Sequence, residues 1–367
     1  MLIIILYSSL QIVKTDNNIH EIKHSDINKP KNFRFCGADQ IKDEILKEEY
    51  FNQGEIVNNN KRYLDKEEEY KQIRIFLDTT YIIYQGKIDS SLNNMISQVI
   101  EAMEKCVKTL EKLLKVIPRK SNIKVSLEEA NNNYNIEKIN STLMTKGIPA
   151  DLIIFSRIAN DNELLGNTLA SAGAKKLEFD TNRPYIGVVN INPEIEFSLG
   201  NSINYLESIL LHEFTHILGF SYGLFEYFPG GLANTVFINK DKRIGLNRTY
   251  VKTKKLVEIA KRYFNCNSIE GIELEDQGGS GTAGSHWEAR ILLWDYMNGN
   301  LYTIEQVISE FTLALLEDSG WYKINYFTGG LMRFGKNQGC AFIEEDCLNK
   351  NELETKFNND FFNIFEA

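Results

Sequence analysis

The spacing of apolar residues changes period several times along the chain, and each change predicts an element. Ile73-Arg74-Ile75-Phe76-Leu77 begins in alternation and reads as a β-strand. Met95, Val99, Met103, Cys106, Val107, Leu110, Leu113 and Leu114 then recur at helical spacing, the signature of one long amphipathic helix. The apolar runs at residues 152–155 and 185–191 predict strands covered on both faces. Leu206, Ile209, Leu210 and Ile217 return to helical spacing, with Asn204 and Glu207 as the expected capping box and Gly219 as the stop. Beyond Gly219, glycine and asparagine become frequent and apolar runs shorten. Residues 252–264 and 303–318 are the predicted helices there, the second presenting Val307, Phe311, Ala314 and Leu315 and stopped by Gly320. Strands alternating with helices predict a mixed sheet over residues 70–221 and an α+β fold class, with no internal repeat at solenoid periods.

Composition narrows the function. Lys and Arg number 41 against 50 Asp and Glu, a net charge of −9, which disfavours a phosphate-binding surface and with it a nucleic-acid partner. No apolar run reaches the roughly 18 residues of a membrane-spanning helix. Residues 1–13 carry the apolar run Leu2-Ile3-Ile4-Ile5-Leu6-Tyr7 followed by Ser8 and Ser9, which predicts a signal peptide. Residues 14–70 are polar and weakly patterned, and read as a pro-segment-like region. The cysteines are Cys36, Cys106, Cys266, Cys340 and Cys347, an odd number with no C-x-x-C pair, which argues against a cysteine-built zinc site. Cys340 and Cys347 bracket a short loop that an oxidising compartment would let them close. Asn140-Ser141-Thr142 and Asn247-Arg248-Thr249 are glycosylation sequons.

The candidate chemistry lies in His212-Glu213-Phe214-Thr215-His216, an H-E-x-x-H motif on the helix ended by Gly219. On a helix the first and last residues of that motif project one turn apart on one face, so both imidazoles reach one ion at about 2.0–2.1 Å. Glu213 follows the first ligand by about 100° around the axis, close enough to take a proton from water without ligating. Histidine is scarce, with five in the chain, which makes a chance match improbable. A catalytic zinc needs a third protein ligand and an open position. The spacing H-E-x-x-H-x-x-G-x-x-H would put that ligand at Tyr222, so His20, His24 and His286 are the imidazoles left. His286, approached through the Gly-rich stretch from Gly278, is the expected third ligand, with Glu226 or Glu258 as the carboxylate alternative.

The motif and several blocks downstream of it resemble the leishmanolysin family of metzincin-type zinc metallopeptidases, in which a long insertion separates H-E-x-x-H-x-x-G from the third histidine. The matching residues run from His212 to Ser221, then Glu275-Asp276-Gln277-Gly278-Gly279, Ala283-Gly284-Ser285-His286, Asp295-Tyr296-Met297, Asp318-Ser319-Gly320-Trp321-Tyr322 and Gly339-Cys340-Ala341-Phe342. The resemblance implies a metzincin-like zincin: a mixed twisted sheet with long helices, an active-site helix at the cleft, and a mostly irregular or helical C-terminal part. It implies one Zn²⁺ held by His212, His216 and His286, Glu213 as general base, and Met297 as the Met-turn floor beneath the metal. The expected segments are 71–221 as an N-terminal catalytic subdomain, 222–338 as a central subdomain, and 339–367 as a remnant of the family's cysteine-rich C-terminal region. A membrane anchor, frequent in the family, is not read here, and partners for Cys266 and Cys340 are left open.

The function so implied is endopeptidase action on protein or peptide substrates, by a secreted or cell-surface protein that is expected to be monomeric. Asn167, Thr168, Leu169 and Ala170 are the expected substrate-binding edge, where backbone groups would pair with an extended peptide. Tyr222 is read as a packing residue or an assistant to the reaction. His20-Glu21-Ile22-Lys23-His24 has the shape of a family pro-segment motif, but Ile22 stands where a cysteine switch would need its thiol. The competing reading is a catalytically silent adhesion or binding protein that keeps the fold.

Overall fold

A computed structural model describes residues 46–47, 69–159, 164, 168–194, 203–241, 245–276, 283–299, 306–326 and 332–345. The signal-like leader, most of the pro-segment-like region, His20, His24, Cys36, Asn167 and Cys347 lie outside the described residues.

The central sheet has five strands in the order β1-β6-β7-β5-β3. These are β1 (Leu46–Lys47), β3 (Ile75–Asp78), β5 (Leu152–Ile158), β6 (Ala170–Leu177) and β7 (Pro184–Ile191), with β2 (Lys71–Gln72) and β4 (Leu114–Val116) belonging to a smaller sheet. β3, β5 and β7 run parallel, and β6 runs antiparallel to β7. Every residue of β5 and β7 is buried, which is why both read as apolar runs without alternation.

Each face of the sheet carries its own helices. The first face receives Ile154, Ile158, Val189, Ile191, Ala170 and Ala172, which join one core with Met95, Val99, Met103 and Leu110 of α2 (Asn93–Leu113). Ile153, Phe155, Ile186 and Val188 point the other way, against Ala130 and Tyr134 of α3 (Leu127–Tyr134) and Leu143 of α4 (Ser141–Thr145). α1 (Thr80–Ile88) precedes α2, which ends one residue short of the predicted apolar spacing, with Leu114 opening β4 directly.

The motif-bearing helix, α5 (Ile203–Leu218), lies on the first face. It crosses β7 at Gly187, where a Cβ would sit 2.4 Å from Cγ2 of Ile217, so only glycine lets the helix approach this closely. α5 already includes Asn204, the residue expected to cap it, and the Glu207 carboxylate pairs with Lys105 at 2.9 Å. At its far end Gly219 adopts a φ of +152°, the Phe220 N–H donates to Thr215 O at 3.1 Å, and the Tyr322 hydroxyl donates to Leu218 O at 2.9 Å.

Beyond α5 come β8 (Val236–Lys240), β9 (Asn247–Val251) and β10 (Ile272–Glu273), an antiparallel sheet in the order β10-β9-β8. α6 (Lys254–Phe264), α7 (Glu310–Asp318), β11 (Lys323–Ile324) and α8 (Cys340–Glu344) complete the chain order. β11 returns to β4, which pairs with β2 on its other side. α7 is shorter than the predicted helix: Ser309 caps it, accepting from the Phe311 N–H at 3.1 Å, while Val307 sits in a bridge with Asp295. A hydroxyl in position to accept first-turn donors overrides apolar spacing that continues upstream. Asp318 in turn caps α6, accepting from Lys255 N at 3.0 Å and Leu256 N at 2.9 Å.

The partners left open for Cys266 and Cys340 are each other, not the nearby Cys347 that the spacing would allow. Cys340 bonds Cys266 across 74 residues, because Gly339 N donates to Phe264 O at 2.8 Å and brings the start of α8 beside the end of α6. Cys106 is a buried free thiol.

Candidate metal centre

His212 and His216 stand one turn apart on α5, and both are fully buried. His286, also fully buried, enters from a strand-like segment held on two sides. On one side Glu275 N donates to His286 O at 2.9 Å and Glu288 N to Glu273 O at 3.0 Å; on the other, Trp287 N donates to Met297 O at 3.0 Å. Tyr222 N donates to the Ser285 hydroxyl at 3.2 Å, tying the chain beyond Gly219 to the residue before the third histidine. Those bonds bring together rings that lie 74 residues apart in sequence.

Carbonyl oxygens only accept, and this fixes two of the tautomers. His212 Nδ1 lies 2.7 Å from Tyr296 O and His216 Nδ1 lies 2.6 Å from Phe220 O, so both Nδ1 atoms carry the proton. Each of these neutral rings therefore presents an Nε2 lone pair. His212 Nε2 sits 3.0 Å from His216 Nε2 and 3.1 Å from His286 Nε2. Burial, reinforced by the neighbouring rings, pushes the His212 and His216 pKa values down, that of His216 to about 3, so protonation does not relieve the crowding. A cation does. Three nitrogens about 2.0–2.1 Å from a tetrahedral ion stand about 3.4 Å from one another, close to what is seen. Three imidazoles with no thiolate are a donor set that suits zinc.

The surroundings fit the same purpose. Glu213 is fully buried on α5 directly after His212. Met297 is fully buried in the segment whose Tyr296 carbonyl holds His212. The Tyr296 hydroxyl also meets Thr215 Oγ1 at 2.8 Å, so one residue grips α5 twice. Glu275 Oε2 lies 3.9 Å from His286 Nδ1, a carboxylate facing the third ring.

Residues 84–366 match the family profile described as Leishmanolysin, peptidase M8. The chain belongs to the leishmanolysin family. A leishmanolysin-like peptidase of Drosophila melanogaster is 35% identical over 215 residues, covering 50% of this chain and 31% of that protein. One from Caenorhabditis elegans is 33% identical over 213 residues, covering 49% and 32%. Leishmanolysin of Leishmania chagasi is 30% identical over 173 residues, covering 47% and 28%. The matched region thus spans about a third of each of these curated relatives.

Within this leishmanolysin-family site the third imidazole is His286, and neither candidate carboxylate joins the cluster. Glu226 is exposed, and Glu258, at 60% exposure, faces Lys255 on the outside of α6. Tyr222 does not take the metzincin third-ligand place; it is 39% exposed and opens a short helical turn, Tyr222–Tyr227. Thr168, Leu169 and Ala170 are buried rather than exposed, because Asn192 draws the segment inward: its side-chain amide donates to Thr168 O at 2.7 Å and its backbone N–H to Leu169 O at 3.0 Å. The backbone edge of β6 pairs with β1 at Lys176 and Leu177.

Residues whose importance sequence reasoning missed act at a distance. Tyr322 caps α5, Trp321 packs against Gly219 and donates from Nε1 to Thr181 O at 2.8 Å, and Asp295 accepts from the Met297 N–H. Their one advance signal is that Trp321, Tyr322 and Asp295 lie in blocks that resemble the family.

Proposed function

We propose that this protein is a zinc-dependent endopeptidase, with His212, His216 and His286 holding one zinc ion and Glu213 serving as general base. The observation that carries this is the convergence of three buried Nε2 atoms, two of them on rings whose Nδ1 protons are committed to backbone carbonyls. Zinc held there supplies Lewis-acid polarisation and acidifies water. Glu213 takes the proton of the attacking water and delivers it to the leaving amine. The carbonyls of Tyr296 and Phe220 keep the two helix imidazoles in the ligating tautomer throughout. Met297 closes the floor beneath the site.

The substrates are proteins or peptides, bound in extended form through their main-chain groups. The protein acts as a monomer in a secreted or cell-surface setting. The Cys266–Cys340 disulfide supports an oxidising compartment, and no helix of the described residues is long and apolar enough to cross a membrane. Residues 14–70 serve as a pro-segment, with subdomains at 71–221 and 222–338 and a further segment at 339–367.

Glu213→Gln tests the assignment. The variant should bind zinc as the parent does while losing hydrolysis of a quenched fluorescent peptide by more than about 100-fold. Peptide turnover within a few-fold of the parent would refute the role of Glu213.

A further inference from the structure

Behind the three histidines lies a polar knot that the reaction itself does not use. Asp295 is fully buried, and its carboxylate accepts from Met297 N–H at 2.6 Å, from Thr312 Oγ1 at 2.9 Å and from the Ser309 hydroxyl. Thr312 also receives the Trp287 indole N–H at 2.8 Å. A carboxylate only accepts and an indole N–H only donates, so the Thr312 hydroxyl must relay, accepting from Trp287 and donating to Asp295. Ser309 caps α7, adding a helix N-terminus to the same carboxylate. The Asn298 side chain locks the turn from behind, donating to Asp295 O at 2.6 Å and Leu292 O at 2.8 Å.

Two arms of this knot lead towards the proposed metal ligands. The turn fixed by the Asp295–Met297 bond carries the Tyr296 carbonyl that holds His212 Nδ1 at 2.7 Å. The Thr312 relay fixes Trp287, the residue after His286, and Trp287 N donates to Met297 O at 3.0 Å to close the loop. The first and third histidines, carried by a helix and by a distant loop, are thus referenced to one side chain.

We infer that Asp295 is the positioning residue of the metal centre: it sets the spacing of His212 and His286, and hence metal affinity, without touching metal or substrate. The inference rests on the proposed zinc site. Removing the carboxylate frees the Met-turn amide, both hydroxyls and, through Thr312, the Trp287 indole. The third ligand then loses its fixed distance from the first.

The test uses the full chain with Asp295→Ala, Asp295→Asn and Thr312→Val. Zinc affinity is measured by chelator competition, and ligand geometry by the visible absorption of the cobalt-substituted protein. Thermal unfolding of the metal-free proteins reports the fold separately. Asp295→Ala should weaken zinc by about 10- to 100-fold and shift the cobalt bands, the range expected when support behind a ligand is lost. Asp295→Asn, which keeps the shape and one acceptor, should fall between. Thr312→Val should reproduce the band shift while its metal-free unfolding temperature stays near the parent's, and it decides the matter if Asp295→Ala does not fold. Zinc affinity within twofold of the parent and unchanged cobalt bands in Thr312→Val and any folded Asp295 variant would overturn the positioning role. A parent chain that binds no zinc would overturn the metal reading beneath it, a separate and recognisable outcome.

Discussion

Gly187 offers a measure of how tightly the metal-bearing helix is pressed onto the sheet. A methyl at this position would lie 2.4 Å from Cγ2, 2.8 Å from Cδ1 and 3.0 Å from Cγ1 of Ile217, a fully buried side chain next to His216. Carbon atoms pack at about 3.5–4.0 Å, so Gly187→Ala must push Ile217 away by about 1 Å. Overpacking of this kind costs about 1–3 kcal/mol. Metal–ligand distances tolerate only about 0.2 Å, so a shift of that size next to His216 should weaken zinc binding as well. Ile217→Ala deletes all three clashing atoms and alone costs about 2–5 kcal/mol through the cavity it leaves. In the double variant the new methyl occupies part of that cavity, so the two costs should not add: a coupling of about 1–2 kcal/mol in urea unfolding is expected. Zinc affinity, lost in Gly187→Ala, should recover in part. Strict additivity, or a Gly187→Ala cost below about 0.5 kcal/mol with unchanged zinc affinity, would refute the close approach of α5 to β7.

Other parts of the molecule yield expectations of the same kind. Replacing both Cys266 and Cys340 by serine releases a link across 74 residues and should lower stability by about 4 kcal/mol on a chain-entropy basis, read from denaturant midpoints under oxidising conditions; a loss below about 1 kcal/mol would contradict it. Asp151, fully buried, accepts from Arg74 Nη2 at 2.8 Å and Arg119 N at 2.7 Å. Burial pushes its carboxyl up, but these bonds and the nearby Arg183 hold it below its ordinary value. A depressed folded pKa gives stability that is present above the unfolded value, about 3.9, and is lost as pH falls through the folded one. Asp151→Asn should therefore cost about 2 kcal/mol at neutral pH, with the deficit narrowing below about pH 4. A deficit that widens in acid would contradict this.

Much of the site was legible because its chemistry is local. A helix period, two histidines four apart and a glycine stop are enough to place His212, Glu213 and His216 on one buried face. The third ligand came from what zinc requires and from the scarcity of histidine, and the fold delivers His286 to that place. The long helix and the two buried strands were equally readable, since each buries its own pattern. What escaped the sequence is carried by pairings between distant polar residues. Ser309 and Thr312 look like ordinary surface residues until tertiary packing buries them with Asp295. Tyr322 reaches Leu218 across 104 residues, and no periodicity encodes such a bond. Cys340 finds Cys266 rather than its near neighbour because α6 and α8 are held side by side. Asn204, expected to cap α5, lies within it, and Glu207, its expected capping partner, meets Lys105 of α2. Proximity in sequence was the misleading guide in both cases.

Metal stoichiometry is the most direct test of the three-histidine centre. Metal analysis of the purified full chain after exposure to zinc and removal of the excess should find one zinc per chain, and His286→Ala should lose it while keeping the fold. Zinc retained by His286→Ala at the parent's affinity, or a folded parent chain that holds none, would contradict the centre.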